Sequence, residues 1–483
     1  MTVRVRFAPS PTGHLHIGSV RTALFNFLYA RRHGGEFVLR IEDTDTNRNI
    51  EGAELAFLDG FHWLGIQWDE GIDVGGPYAP YRCMERLDLY REHVQKLLDN
   101  GQAYPCFCTD EELAAEREAA EREGRVPQYS GRCRALSEEE RQAKIDAGIP
   151  YSIRFRVPEN QEIVVDDLIR GHVTFNSSDI GDYVIVKSNG IPTYNFQVAV
   201  DDAAMKITHV IRAEEHLSNT PRQILVFQAF GYEIPTFAHL PIVLDHNRKK
   251  LSKRDPSVLP IQTYEELGYV PHAIINFLAL LGWSPEGEEE LFDIDALCSQ
   301  FDLGRVSKAG AVFDVDKLNW MANQYFKALA PDEATAMVRR QLKRVGQALP
   351  DGVSEDWLEQ VVSLYQEQMV CAADFIELSK GFFDKRVAYD EEALELLEQP
   401  GSKEVVAAYL ALAKADDEWT AEASRARFKQ IQKEQGVKGR ALFMPVRAAL
   451  TGQVHGPDLQ KTIALLPRSW VLERLASALE SRS

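Results

Sequence analysis

Residues 4–32 read RVRFAPSPTGHLHIGSVRTALFNFLYARR. Val3, Val5 and Phe7 alternate with Arg4 and Arg6, the pattern of a short strand with one buried face. Pro9, Pro11 and Gly13 then break the chain into a tight loop. Beyond Gly18 the apolar residues Val20, Ala23, Leu24, Phe27 and Leu28 recur at helical spacing, with Ser19 as the expected N-cap. Gly34 and Gly35 end the helix. A strand that feeds a glycine-bearing loop and a helix N-terminus binds anions, because unpaired backbone N–H groups and the helix dipole face the ligand. His14 and His16 lie in that loop, where imidazoles can meet phosphate oxygens.

The strand–helix pattern continues outward. Phe37–Ile41 reads as a second strand, running into Glu42-Asp43-Thr44-Asp45, and residues 50–65 and 86–98 read as helices. Such alternation implies a parallel sheet with crossover helices, a Rossmann-like α/β fold. Residues 104–189 change character: a Cys106-Phe107-Cys108 turn, a charged helix, a return through Tyr129 to Cys133, and strands at 152–157 and 182–187. They read as an α+β insertion between the halves of the first domain, residues 1–103 and 190–249. The parallel pattern is expected to resume with strands at Thr193–Val200 and His209–Ile211, and a helix runs on from Glu214 to Phe230. Residues 250–322 form a linking domain, and residues 323–483 read as helix after helix.

At 483 residues the chain is too long for one core, and its 45% apolar content is that of a water-soluble protein. It has no run of 18 apolar residues and no N-terminal signal pattern, so a cytoplasmic protein away from any membrane is expected; a monomer is the separate expectation for its assembly. The six cysteines do not form a disulfide framework. The net charge of −19 argues against a general nucleic-acid binder. The charge is uneven, however: between Ser424 and Arg447 stand Arg425, Arg427, Lys429, Lys433, Lys438, Arg440 and Arg447 against Glu434 alone. A basic face on an acidic body supplies phosphate contacts while discouraging unspecific binding.

The string P-S-P-T-G-H-L-H-I-G, with Arg6 just before it, resembles the first signature of the class I aminoacyl-tRNA synthetases in its glutamate-specific form. Lys249-Lys250-Leu251-Ser252-Lys253-Arg254, about 230 residues later, resembles the second. Alone, that cluster would be a solvated basic loop. Paired with the first, it supplies flexible point charges that follow negative charge onto a leaving pyrophosphate. The resemblance implies ATP with Mg²⁺ at Pro11, Thr12, Gly13, His14, His16, Gly18, Lys250, Leu251, Ser252, Lys253 and Arg254, with His16 and Lys253 as the catalytic groups. It implies a glutamate site at Arg6, Ala8, Ser10, Glu42, Tyr194 and Arg212, with Glu215 beside it. Guanidinium forks bind carboxylates, and Glu42 is the counter-charge for the ammonium. One departure is His216, where related enzymes often carry tryptophan after R-A-E-E.

The same family has members with a zinc knuckle resembling Cys106, Cys108 and Cys133, with Tyr129 as the fourth donor of a structural Zn²⁺ site; the plain alternative is no bound metal. Residues 305–321 and the segment ending G-R-A-L-F-M-P-V-R resemble the family's linking and anticodon-binding parts. Arg425, Lys438, Arg440 and Arg447 are the implied tRNA contacts, and Phe428 and Phe443 are expected to stack on unpaired bases. Where family members that reject glutamine tRNA tend to carry arginine, this chain has Gln368, which implies relaxed choice between tRNA(Glu) and tRNA(Gln). The expected function is ligation of glutamate to tRNA(Glu) through a glutamyl-adenylate. The rivals are a glutaminyl-tRNA synthetase-like ligase, whose C-terminal part would be β-rich, a shortened paralogue that glutamylates a tRNA base, a small-molecule nucleotidyltransferase, and a catalytically dead RNA-binding module.

Overall fold

A computed structural model of the chain describes residues 2–13, 15–251, 258–354 and 356–480. The chain forms two compact units, Met1–Thr263 with Ile274–Val315, and Tyr264–Ala273 with Asp316–Ser483.

The first unit opens with β1 (Arg4–Phe7), α1 (Ile17–Arg32), β2 (Glu36–Leu39), α2 (Ala53–Leu64), α3 (Leu87–Asp99) and β3 (Ala103–Cys106). It continues with α4 (Asp110–Arg122), α5 (Glu138–Asp146), β4 (Ser152–Phe155), β5 (Glu162–Asp167), β6 (Gly171–Asn176) and β7 (Tyr183–Val186). Then come α6 (Tyr194–Ala204), β8 (His209–Ala213), α7 (Thr220–Phe230), β9 (Thr236–Leu240) and the short β10 (Val243–Leu244). β1 pairs parallel with β2, and β8 with β9. The Thr208 amide donates to the Arg4 carbonyl at 2.9 Å, joining β1 to the start of β8. The sheet therefore runs β2, β1, β8, β9, β5, with β6 antiparallel at the edge. The C-terminal ends of β1, β2 and β8 share one edge, the place where open parallel sheets bind ligands. The helices α3, α6 and α7 pack on the sheet through Tyr90, Val94, Phe196, Val200, Ile224 and Phe227.

Within residues 104–189, β3, β4 and β7 form a separate antiparallel sheet. β5 and β6 instead extend the parallel sheet, through Asp167 opposite Phe237. Two local expectations are corrected. Residues 194–204 are a helix and not a strand. Phe196, Val198, Ala199 and Val200 are all buried, so a helix packed on every side shows the continuous apolar run of a buried strand. α1 starts at Ile17, and its N-cap is His16 in place of Ser19.

In the second unit, helices run from Val315–Ala328 to Arg468–Glu480, and among the described residues 316–480 hold no strand. No helix is long and apolar enough to cross a membrane among the described residues.

Candidate functional site

The ends of β1, β2 and β8 open into one cavity of about 980 Å³. Arg6, Ala8, Ser10, Thr12, Gly13, His16, Gly18, Glu42, Tyr194, Arg212, Glu215, Lys250 and Leu251 all line it. Positions some 245 residues apart in the chain are thus brought to one space. Pro11 does not line it; it is buried, and its carbonyl accepts from the Ile50 amide. His14, Ser252, Lys253 and Arg254 lie outside the described residues.

His16 closes the N-terminus of α1, its Nδ1 accepting from the Ser19 amide at 3.3 Å and its Nε2 meeting Ser19 Oγ at 3.0 Å. A Cβ at Gly18 would stand 3.3 Å from His16 Cε1. The missing side chain therefore lets the ring lie over the helix start, where N–H groups face the cavity. Behind it Arg21 is buried, bonded to the Pro241 carbonyl, and burial pulls its pKa down to about 10. Across the cavity the exposed Lys250 pairs with Glu215 at 2.7 Å.

The two arginines differ in a way the sequence does not show. Arg6 donates through Nε and Nη2 to Asp202 at 3.1–3.2 Å. Asp202 also accepts from Arg40 at 2.8 Å, and Arg40 reaches Glu42 at 3.3 Å. Burial raises the Glu42 pKa against the pull of Arg40 and Arg6. For Asp202, burial is outweighed by the same two cations, and its pKa falls. Arg212 is only 5% exposed, yet among the described residues no carboxylate lies within 4.0 Å of it. Its Nε donates to His239 Nε2 at 3.2 Å, Nη1 to Tyr194 Oη at 3.4 Å, and Nη2 to Thr220 Oγ1 at 2.8 Å and the His216 carbonyl at 3.5 Å. A guanidinium has five N–H groups, so among the described residues one on Nη1 stays uncommitted. Burial lowers the Arg212 pKa. His216 meets Tyr194 Oη at 3.3 Å, and burial with Arg212 nearby brings its pKa down to about 4.

Sequence reasoning missed Asp201, Asp202, Thr220 and His239. The doublet at 201–202 was legible only as charge in an apolar run, and His239 as a lone histidine in a strand.

Away from the cavity, Cys106, Cys108 and Cys133 bring their sulfurs within 4.8 Å of one another. Tyr129 Oη lies 3.5 Å from Cys106 Sγ and 3.6 Å from Cys108 Sγ, and Cys108 Sγ lies 3.6 Å from Cys133 Sγ. A tetrahedral site with Zn–S bonds of about 2.3 Å sets its sulfurs about 3.8 Å apart, so the four donors fit. Arg154 Nε at 3.1 Å from Cys106 Sγ and the Phe107 amide at 3.4 Å from Cys133 Sγ donate hydrogen bonds to the sulfurs from around the cluster.

In the second unit, Gln368, Arg425, Lys438 and Arg440 are exposed, with Arg440 paired to Glu392 at 3.0 Å. Two expectations there are corrected. Phe428 is buried between Tyr409 and Phe443, ring centroids 4.7 and 4.9 Å away, and offers no face to a base. Arg447 is 7% exposed, its Nη2 donating to the Pro457 carbonyl at 2.7 Å, so it is no surface cation. Both sit on the inward faces of amphipathic helices, a placement that charge counting ignores. Phe443 is half-buried and lines, with Arg440 and Arg447, a cavity of about 420 Å³.

Comparison with known proteins follows the same division. Residues 2–320 match the family "tRNA synthetases class I (E and Q), catalytic domain", and residues 328–479 match an anticodon binding domain. A glutamate–tRNA ligase of Halalkalibacterium halodurans is 53% identical over 481 residues, 99% of each chain. One of Geobacillus stearothermophilus is 52% identical over 486 residues, again 99% of each. A crystal structure of a glutamate tRNA ligase from Elizabethkingia meningosepticum in complex with its amino acid superposes with TM-score 0.92 at 35% identity, covering 100% of both chains.

Proposed function

The chain belongs to the class I tRNA synthetases for glutamate and glutamine, and from that premise we propose that it ligates L-glutamate to the 3′ end of tRNA(Glu), using ATP. What carries the reading at the site is Arg212, a buried cation with no carboxylate of its own among the described residues. Such a group is costly unless an anion arrives, and glutamate brings two.

Arg212 takes one substrate carboxylate through its open Nη1 and the Tyr194 hydroxyl. Arg6, with Nε and Nη2 turned to Asp202, offers Nη1 to the other. Glu42, at the edge of the Arg40 pair, faces the ammonium. A carboxylate is already ionised at neutral pH, so its attack on the α-phosphorus of ATP needs no general base. The new bond is C–O–P, and pyrophosphate leaves with the electron pair. His16, the first amides of α1, Lys250 and Lys253 stabilise the charge on the phosphates, and Mg²⁺ travels with the ATP. In the second step a ribose hydroxyl of the tRNA end attacks the activated carbonyl and AMP leaves.

Cys106, Cys108, Tyr129 and Cys133 would hold a structural zinc, which would tie the turn after β3 to the Tyr129–Arg134 stretch and lie outside the reaction. The exposed Gln368 stands where an arginine would select the last anticodon base, C in tRNA(Glu) and G in tRNA(Gln), and reads that base less sharply, so tRNA(Gln) is charged as well. Charging assays on purified tRNA(Glu) and tRNA(Gln) test this; no glutamylation of tRNA(Gln) would reject it.

The main test is ATP–pyrophosphate exchange with glutamate or glutamine, with and without tRNA. Exchange is expected with glutamate when tRNA is present. None with glutamate under that condition would reject the function.

A further inference from the structure

We propose that Asp167 and His239 are positioning residues for Arg212, a buried relay that orients the guanidinium without neutralising it, and so sets the affinity of the site for the substrate carboxylate. The inference rests on the reading of Arg212 as a carboxylate site.

The three residues sit on adjacent parallel strands. Arg212 on β8 stands opposite His239 on β9, and Asp167 ends β5 on the far side of β9. Asp167 and His239 side chains are 0% exposed. Asp167 Oδ2 lies 2.6 Å from His239 Nδ1 and accepts the His239 amide at 3.0 Å, while Oδ1 accepts the amides of Ile169 and Arg170 at 2.9 and 2.8 Å. A carboxylate with so many donors is an acceptor only, so Nδ1 carries the proton. Nε2 then has a lone pair, and it accepts from Arg212 Nε at 3.2 Å. Thr220 Oγ1 completes the clamp, 3.1 Å from Nε2 and 2.8 Å from Arg212 Nη2.

The contrast with Arg6 gives the arrangement its meaning. Asp202 faces Arg6 directly and cancels much of its charge. At Arg212 a neutral imidazole stands where a carboxylate would be, so the guanidinium is held in place and keeps its charge for the substrate. Asp167 acts one residue removed, fixing which ring nitrogen accepts.

The relay works only while His239 is neutral. A second proton on Nε2 would point at Arg212. The charged and titratable groups around His239 are Asp167 on β5, Arg170 just after it, Arg212 on β8 and His216 beyond it. Burial lowers the His239 pKa, Asp167 opposes this, and Arg212 adds to it. The neutral form is thus secure above about pH 6.5, and the arrangement is lost as pH falls through the folded value.

The test uses the full chain with tRNA(Glu) in ATP–pyrophosphate exchange, reading glutamate KM and ATP KM from pH 5 to 8. Asp167→Asn and His239→Leu should each raise glutamate KM about tenfold or more, the effect of leaving a buried donor unpaired, with ATP KM within about twofold. His239→Gln, whose amide oxygen still accepts from Arg212, should recover most of the affinity and lose the acid limb of the glutamate profile. Arg212→Gln, measured in parallel, separates the two readings. If it keeps the wild-type glutamate KM, the carboxylate site itself is misassigned. If it loses glutamate while Asp167→Asn and His239→Gln keep both the wild-type KM and the acid limb, the relay alone is overturned. Should His239→Leu not fold, those two variants still decide.

Discussion

At His16 one side chain both caps a helix and faces the cavity, and Gly18 makes that double use sterically feasible. Adding a methyl there puts a carbon 3.3–3.4 Å from the ring. Gly18→Ala is expected to move the imidazole by a few tenths of an ångström, lowering kcat for pyrophosphate exchange roughly tenfold with glutamate KM unchanged. An equal rise in glutamate KM would show that the ring serves the amino acid instead. Arg212→Gln gives the reverse signature: loss of glutamate affinity by about tenfold to a hundredfold, with ATP KM preserved. Both are read from the same initial-rate measurements.

Among the elements, α6 matters most for the site despite contributing only Tyr194 to the cavity wall. Its far end carries Asp201 and Asp202. Asp201 accepts from Arg86 and Tyr90 at 2.7 Å each, and Asp202 accepts from Arg6 and Arg40. Removing one member of a buried pair leaves an uncompensated charge, so Asp202→Asn should lose about 3–5 kcal/mol of stability. Urea unfolding checks this, and a loss below about 1 kcal/mol would mean the network relaxes around the change. The Asp202 pKa is depressed in the folded state. Its contribution is therefore present above the ordinary aspartate value near 4 and fades as pH falls through the folded value, which adds to acid unfolding. The turn after β3 supports a separate expectation. Metal analysis of the purified chain should find about one zinc per molecule, removed by Cys133→Ser, with the glutamate KM unchanged. Purified chain free of zinc would leave Cys106, Cys108 and Cys133 as plain thiols.

On the scale of the whole molecule, the −19 charge is carried with an exposed basic stretch, Arg425, Lys429, Lys433, Lys438 and Arg440. tRNA binding should weaken with salt, and Arg425→Ala with Lys438→Ala should reduce the slope of log K against log salt by roughly 1.4, about 0.7 for each phosphate that no longer meets a cation. An unchanged slope would remove both residues from the tRNA-binding face. The two units differ in how they could be read. The loop between β1 and α1 was legible because its residues are adjacent in the chain and their chemistry is local: a strand, two prolines, glycines and a helix start. The C-terminal helices were legible from apolar spacing alone. Residues 194–204 were not, because a helix buried on all sides loses its period. Phe428 and Arg447 were not, because counting charges along a segment does not tell inward from outward faces.

By itself the amino-acid sequence determined the parallel α/β class, the helical C-terminal part, the loop between β1 and α1, the cysteine turn and the presence of Arg6 and Arg212 at strand ends. All of these depend on patterns a few residues long. Only the tertiary structure decided which arginine is already neutralised and which is not. That depends on Asp202 meeting Arg6 and on His239 with Asp167 meeting Arg212, pairings made across 27 to 196 residues of chain. A charge's availability is a property of its buried neighbours, and the sheet chooses those neighbours when it folds.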